Sequence, residues 1–565
     1  MERNEILNYL IAKNGYKSYL EIGVAVPGMN YDLINCELKE GCDPYMDCFF
    51  DFGFNGADAI EEYKKRVTYL MTSDELFESM PEEKKYDIIF SDGDHSELQT
   101  KKDIINSLKH LNPNGLVVVH DVFPRCEEYA REERLSDEWY GCAYKAILDF
   151  SKIGGRFACV RQGGCNGVAI IPYQHISEEK EREYFKESEF GWSDYENDTD
   201  VKMRVVSLEG YGKKVMIYHN CKYLVNSPSF DRTGKLVYGG TESWVAGIAE
   251  RLAKYGFNVT VFSDVRLADE SEGVKYVTRD SDDLRNHFDV AIITTDIEIA
   301  NTIDCDRVIL APTCEFFNTN FGAHARAEGV AILSEWQKQQ FERVYNIQDW
   351  LFFRHFLPCE HHLYDDFENY EKENSMVWSS APVRGLRFFV ERVMPKIKKA
   401  VPDFKLYICG YDKNYYESEW PIYVDGVEPM ISAGKKELAE LQKKSKIWVY
   451  PNIGRSETSG FFYETYCITA VENALAGNAI VCLNGKDGID STLEGYDGFI
   501  DGNMIDEKRN DFMLHYEEVA NIMAEYAIEI LLDGNIRKAL SQQLRKIAEK
   551  YTWDKETRII CEKII

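Results

Sequence analysis

The run YDIIFSDGDHS closes an apolar stretch with Asp92, Asp94 and His95, and LNPNGLVVVHDV closes the next with His120 and Asp121. Carboxylates beside imidazoles accept and move protons, and paired carboxylates are common oxygen ligands of a divalent cation. Upstream, EIGVAVPG brings Glu21, Gly23 and Gly28, and Asp43 follows Gly23 by twenty positions. Glycines in such a turn let backbone approach a ligand, helix-start amides favour anions, and a carboxylate at that distance suits two ribose hydroxyls. Further on, ETYCITAVENALAGNAIVCLNG sets Glu464 and Glu472 eight positions apart, with Ile468, Val471 and Leu475 at helical spacing. A helix starting near Glu464 would aim free amides and a positive dipole end at whatever lies there, phosphate being the natural guest. Glu472, two turns along, would reach toward a ribose or hydroxyl pair. Arg384, in APVRGLRFF, sits beside another helix start, where its fork pairs well with phosphate oxygens. Gly239 and Gly240, in LVYGGTESW, precede a third helix and suit close approach of phosphate or sugar.

Most of these residues follow bounded apolar runs, among them SYLEIGV, YDIIFSD, GLVVVHD, KVMIYH, NVTVFSD, DVAIITT, RVILAP, KLYICG, KIWVYP and AIVCLN. Runs apolar on both faces suit parallel strands. The segments between them are amphipathic. In TESWVAGIAERLAKYG, Val245, Ile248 and Leu252 share a stripe, Thr241 is placed to cap the start, and Gly256 to end the helix. Alternation of strand and helix predicts an α/β fold with parallel sheets, whose ligands bind at the carboxyl ends of strands.

The chain has 565 residues, more than one hydrophobic core accommodates, and its 13% aromatic content excludes a largely disordered chain. A net charge of −30 disfavours nucleic acid and anionic lipid as partners. No window reads as a membrane span, and the N-terminus does not read as a signal peptide. Fifteen scattered cysteines read as reduced thiols of a cytoplasmic protein. The cluster Cys359, His361 and His362 fits no closed zinc site. Three textures divide the chain: 1–173, an acidic linker or exposed helical connector at 174–212, and 213–565, where strand and helix patterns restart.

Residues 15–171, with the order helix, Asn-Pro-Asn-Gly turn, apolar strand and His-Asp, resemble a class I S-adenosylmethionine-dependent methyltransferase. The resemblance implies that Glu21 and Gly23 lie beside the methionine part of the cofactor, that Asp43 binds its ribose, and that Ser73 and Asp74 sit near its adenine. It also implies Mg2+ ligands at Asp92 and Asp121, with His120 or His95 as a base near the acceptor. Pro27 in the glycine loop and Cys142, where an acidic residue is usual, depart from that pattern.

From about 213 to 555 the order of glycine loop, Arg-Gly pair and paired glutamates resembles the retaining GT-B glycosyltransferases of family 4. The resemblance implies two Rossmann-like domains, 213–372 for the acceptor and 373–565 for the nucleotide-sugar donor, with the final helix crossing back. Arg384 would hold the diphosphate, Glu464 the sugar hydroxyls and Glu472 the ribose. The backbone of Thr465, Tyr466 and Cys467 would approach the phosphates, and Gly239 and Gly240 would border them. Ser379-Ser380 and Thr313 replace residues usual in the family. The expected fold is thus α/β, a Rossmann-like methyltransferase domain plus a GT-B pair. The expected function is sugar transfer with retention together with O-methylation of a glycan or sugar, the expected partner being a glycan or glycosylated acceptor. A glycosyltransferase with a non-catalytic first domain, and a non-catalytic scaffold, are the alternatives. The sequence leaves the oligomeric state open.

Overall fold

The structure is a computed structural model that describes residues 2–44, 57–135, 139–161, 166–197, 199–220, 240–265, 269–313, 326–345, 347–409, 424–430, 433–452, 455–456, 460–461, 463–485, 487–502 and 512–564. The chain forms two compact units. One comprises Met1–Lys213, Arg251–Asn258 and Ile564–Ile565; the other comprises Lys214–Glu250 and Val259–Lys563.

In the first unit, strands β1 (Ser18–Ile22), β2 (Leu38–Cys42), β3 (Tyr86–Ser91), β4 (Leu111–His120), β5 (Ala158–Val160) and β6 (Val168–Pro172) form one sheet in the order β2-β1-β3-β4-β6-β5. The pairs β1–β2, β1–β3 and β3–β4 are parallel, whereas β4–β6 and β6–β5 are antiparallel. A parallel bridge from Cys42 to Tyr69 continues the sheet beyond β2. Strands apolar on both faces need cover on both sides. The helix Arg3–Asn14 buries Ile6, Leu7, Leu10 and Ile11, and Glu97–Lys109 buries Ile104, Ile105 and Leu108. The stretch expected as a linker contains three short helices, Glu178–Tyr184, Trp192–Glu196 and Thr199–Lys202. Its Tyr184, Tyr195 and Met203 are part of the first unit's core. Wide spacing hides these apolar anchors from a periodicity reading, so the segment is folded rather than an exposed connector.

The second unit opens with an eight-stranded sheet. It contains β7 (Lys214–Tyr218), β8 (Asn258–Ser263), β9 (Asp269–Ser271), β10 (Val274–Thr278), β11 (Phe288–Ile293), β12 (Cys305–Leu310), β13 (Ala327–Ile332) and β14 (Phe352–Arg354), in the order β14-β13-β12-β11-β7-β8-β10-β9. The β9–β10 pair is antiparallel, and the pairs from β14 through to β7 are parallel. A second group follows. Strands β15 (Ser375–Trp378), β16 (Lys405–Cys409) and β17 (Val427–Met430) pair in parallel, as do β18 (Ile447–Val449) and β19 (Ala479–Val481). The helix Gly240–Lys254 buries Val245, Ile248 and Leu252 as its periodicity requires. Thr241 lies inside its first turn rather than capping it, and Gly256 takes φ 83° just past its end.

The last helix, Trp553–Ile564, is fixed to this unit by Glu556, which is fully buried. Its carboxylate accepts from Trp244 Nε1 at 2.7 Å, from the Phe356 amide at 3.1 Å, and lies 2.9 Å from His355 Nδ1. Among the described residues the cysteines are free thiols. No described helix is long and apolar enough to cross a membrane.

Candidate active sites

In the first unit the carboxyl ends of β1, β3 and β4 converge. Gly23 follows β1 with φ 83°, and a Cβ there would lie 2.3 Å from the Asp92 carbonyl oxygen. Glycine is therefore required for the ends of β1 and β3 to meet. Asp92 follows β3. Its Oδ2 accepts from Arg3 Nη1 at 2.6 Å, and its Oδ1 is 2.9 Å from His120 Nδ1 and 3.7 Å from His95 Nε2. Burial alone would raise this carboxyl, but the charges of His120, Arg3 and His95 outweigh it and hold Asp92 at about 2. Asp121 follows β4 at φ 56°. Its Oδ1 is 3.1 Å from His120 Nδ1 and accepts from Asn166 Nδ2 at 3.1 Å, while its Oδ2 is 3.5 Å from His95. Asp92, His120 and Asp121 thus meet at the strand ends. Asp94 stands apart, accepting from the Ser96 amide ahead of the following helix.

Glu21, on β1, is buried and accepts from Tyr19 Oη at 2.5 Å and from Asn30 Nδ2 at 3.1 Å. Burial overrides both hydrogen bonds and pushes its carboxyl up to about 8. Asn30 Oδ1, also buried, takes no hydrogen bond from the described residues. Asp43, just past β2, accepts from the Ala25 amide at 2.7 Å, which ties the ends of β1 and β2 across the glycine turn. Gly28 lies in a 3-10 turn begun by Pro27, and apart from its chain neighbours no atom of the described residues lies within 4 Å of where its Cβ would be. Ser73 and Asp74 open a helix capped by Thr72. Ser73 Oγ donates to Asp103 at 2.7 Å, and Asp74 pairs with Lys102 at 2.6 Å. Burial lifts Asp103 to about 6. Cys142 is buried, with its amide donating to the His95 carbonyl at 2.7 Å.

This cluster of acids at the strand ends suits a cationic or zwitterionic group. Asp43 is poised at the strand end, and the orphaned Asn30 oxygen beside Glu21 is an acceptor suited to an ammonium. The oxygens of Asp92 and Asp121 and a His95 nitrogen all lie within 4.8 Å of one another, which fits one divalent cation. An imidazole in that set favours Mn2+ or Zn2+ over Mg2+.

In the second unit Glu464 is buried on the segment ahead of the helix Ile468–Leu475. That helix begins four residues after Glu464 rather than beside it. The Glu464 amide donates to Asp487 Oδ2 at 3.2 Å and its carbonyl accepts from Gly488 at 2.6 Å. These bonds hold the segment outside the helix. The Glu464 carboxylate pairs with Arg384 and accepts from Tyr450 Oη at 2.5 Å. Arg384 ends the turn Pro382–Arg384, and Gly385 follows at φ 98°. Asp487 is pushed up to about 7 by burial and by the Glu464 charge.

Thr465 Oγ1 donates to the Thr313 carbonyl at 2.8 Å, and Thr313 Oγ1 is 2.6 Å from Thr241 Oγ1. Tyr466 and Cys467 are buried; Tyr466 stands edge-on to Tyr551. A Cβ at Gly240 would lie 2.8 Å from Ile468 Cδ1, so the starts of two helices abut. Gly239 lies outside the described residues. Glu472 is buried on its helix; burial raises its carboxyl, opposed by Lys435 and Gln442. Sequence reasoning missed Arg3, Asn30, Tyr450 and Asp487. Only Asp487, in the loop GKDGID after an apolar strand, carried a local signal.

Residues 20–122 match the family model described as a methyltransferase domain. Among curated proteins no sequence matches this chain. Among solved structures the chain is similar to a sucrose-phosphate synthase from Thermosynechococcus elongatus, at 12% identity and TM-score 0.46, over 62% of this chain and 98% of that one. It is similar also to a glycosyltransferase from Rickettsia africae, at 13% identity and TM-score 0.44, over 62% and 98%. An Anabaena protein, HepE, in complex with UDP and glucose shows 13% identity and TM-score 0.43, over 62% and 99%. The methyltransferase-domain match thus covers part of the first unit, and the eight-stranded sheet of the second unit lies beyond it.

Proposed function

We propose that the chain is a two-activity enzyme. It transfers a sugar from a nucleotide-sugar donor with retention, and it O-methylates a glycan or sugar using S-adenosylmethionine. The observation that carries this reading is that one chain holds two strand-end constellations on separate sheets. One is the acid–imidazole cluster of Asp92, His95, His120 and Asp121; the other is Arg384 with Glu464 ahead of a helix start.

In the first unit, Glu21 and Gly23 border the methionine part of the cofactor, Asp43 takes the ribose hydroxyls, and Ser73 and Asp74 lie toward the adenine. The cofactor supplies a methyl group bonded to a positive sulfur. His120 or His95 removes the proton from the acceptor hydroxyl, and Asp92 or Asp121 stabilises the imidazolium so formed. A divalent cation at this site would be held by Asp92 and Asp121 and would lower the pKa of an acceptor hydroxyl.

For sugar transfer we assign 213–372 to the acceptor lobe and 373–565 to the donor lobe. Arg384 holds the diphosphate and, with the amides near Thr465, Tyr466 and Cys467, stabilises the negative charge that develops on it. Donor binding would exchange the Arg384–Glu464 pair for phosphate on the arginine and sugar hydroxyls on the glutamate. Glu472, raised by burial, takes the ribose. Gly240 borders the diphosphate.

The test is a thermal-shift panel on the full chain with S-adenosylhomocysteine, UDP, GDP, ADP and CMP, each with and without Mg2+. A ligand at about 100 times its dissociation constant adds about 2.7 kcal/mol to the domain that holds it. Stabilisation by S-adenosylhomocysteine and by one nucleotide is the expected result. A nucleotide shift alone would leave a single-activity glycosyltransferase, and no shift with any ligand would leave a scaffold.

A further inference from the structure

Arg3 opens the N-terminal helix, outside the region that matches the methyltransferase domain. The helix is held in place twice over. At its start the Glu2 amide donates to Glu5 Oε2 at 2.7 Å, and Ile6, Leu7, Leu10 and Ile11 are buried in the helix. That anchoring delivers the Arg3 guanidinium to the carboxyl ends of β1 and β3, with the side chain 24% exposed.

The guanidinium there is underused. Among the described residues it makes one hydrogen bond, from Nη1 to Asp92 Oδ2. A guanidinium carries five N–H donors in a rigid fork matched to a carboxylate. Arg3 is not the only polar partner of Asp92, because His120 Nδ1 lies 2.9 Å from its other oxygen. The surroundings also select the sign and size of a guest. Asp92, Glu21 and Asp121 all act electrostatically on Arg3. A polyanion such as a diphosphate would meet those acids. A zwitterion would not: its carboxylate pairs with the arginine while its ammonium turns to the acids and to the orphaned Asn30 oxygen.

We propose that Arg3 binds the α-carboxylate of the methyl donor's amino-acid end and so selects donors that carry that group. The inference rests on the methyl-donor reading of the first unit. It adds a recognition residue contributed by a helix outside the matched domain.

The experiment uses isothermal titration calorimetry on the full chain with two probes. S-Adenosylhomocysteine carries the amino-acid end; 5′-methylthioadenosine has the same nucleoside and lacks it. Arg3→Gln is expected to weaken S-adenosylhomocysteine by about ten- to a hundredfold, the range for losing a charged hydrogen bond. It should leave methylthioadenosine within twofold, which also shows that the variant is folded. Arg3→Lys, a cation without the fork, should fall between. Equal weakening of both probes would mean that Arg3 only holds Asp92, and would overturn the proposal. Unchanged affinity for both would overturn it too. Failure of the unaltered protein to bind either probe would remove the methyl-donor reading itself, a result distinct from both.

Discussion

Replacing Glu21 by glutamine should make the first unit more stable at alkaline pH and leave it nearly unchanged at acid pH. Glu21 is buried at the end of β1, and its carboxyl sits at about 8 against an ordinary 4.5. A carboxyl raised in this way keeps its proton in the folded state at pH values where the unfolded chain has released it. Its effect on stability is neutral below about pH 4.5, grows unfavourable as pH rises, and is complete above about pH 8. Within that window the slope is about 1.4 kcal/mol per pH unit, so the group removes about 2.7 kcal/mol between pH 5.5 and 7.5 and about 5 kcal/mol across the whole range. Glutamine presents a neutral amide oxygen to the same two donors, Tyr19 Oη and Asn30 Nδ2. It carries no such slope. Asp103, raised to about 6, contributes equally to both proteins and cancels in the difference. The assay is hydrogen exchange of the β1 amides, Tyr19–Ile22, which lie between β2 and β3. Opening free energies of the two proteins should coincide near pH 5 and separate steadily toward pH 8. Parallel profiles would show that Glu21 ionises freely in the folded protein and would refute the burial argument.

Gly488→Ala would place a Cβ 2.2 Å from the Thr465 carbonyl oxygen, a clash with backbone. It should displace the donor segment at a cost of about 1–3 kcal/mol and abolish nucleotide-induced stabilisation, read by thermal shift. Glu556→Ala would strand the buried donors of Trp244, His355 and Phe356. The expected loss is about 3 kcal/mol or more, measured by urea unfolding of the second unit. Arg384→Lys keeps the charge but loses the fork, so nucleoside diphosphate affinity should fall about tenfold while the S-adenosylhomocysteine shift is unchanged, both followed in one thermal-shift panel.

Spacing made much of both sites legible before any coordinates. Asp92, His120 and Asp121 each follow an apolar strand, and parallel strands in neighbouring positions must bring their ends together. Arg384 stands out in the sequence by its Arg-Gly turn, but its pairing with Glu464 is not read from the sequence. The start of the Glu464 helix could not be placed by the same means. Apolar periodicity fixes which face is buried, but the first turn is set by Asp487 and Gly488, which hold Glu464 in place from more than twenty residues away.

What the sequence by itself determined is the local pattern: strands, helix faces, glycine turns and the acids that end the strands. These are consequences of period and residue type within a few neighbours. Tertiary structure decided which distant groups set their charge. Arg3 meets Asp92 across 89 positions, and no periodicity connects them. It also decided that the Glu21 carboxyl is raised, because burial there outweighs its bonds to Tyr19 and Asn30 and does not follow from its place in EIG. Electrostatics in a low-dielectric interior are set by three-dimensional neighbours, and those appear only when the chain is folded.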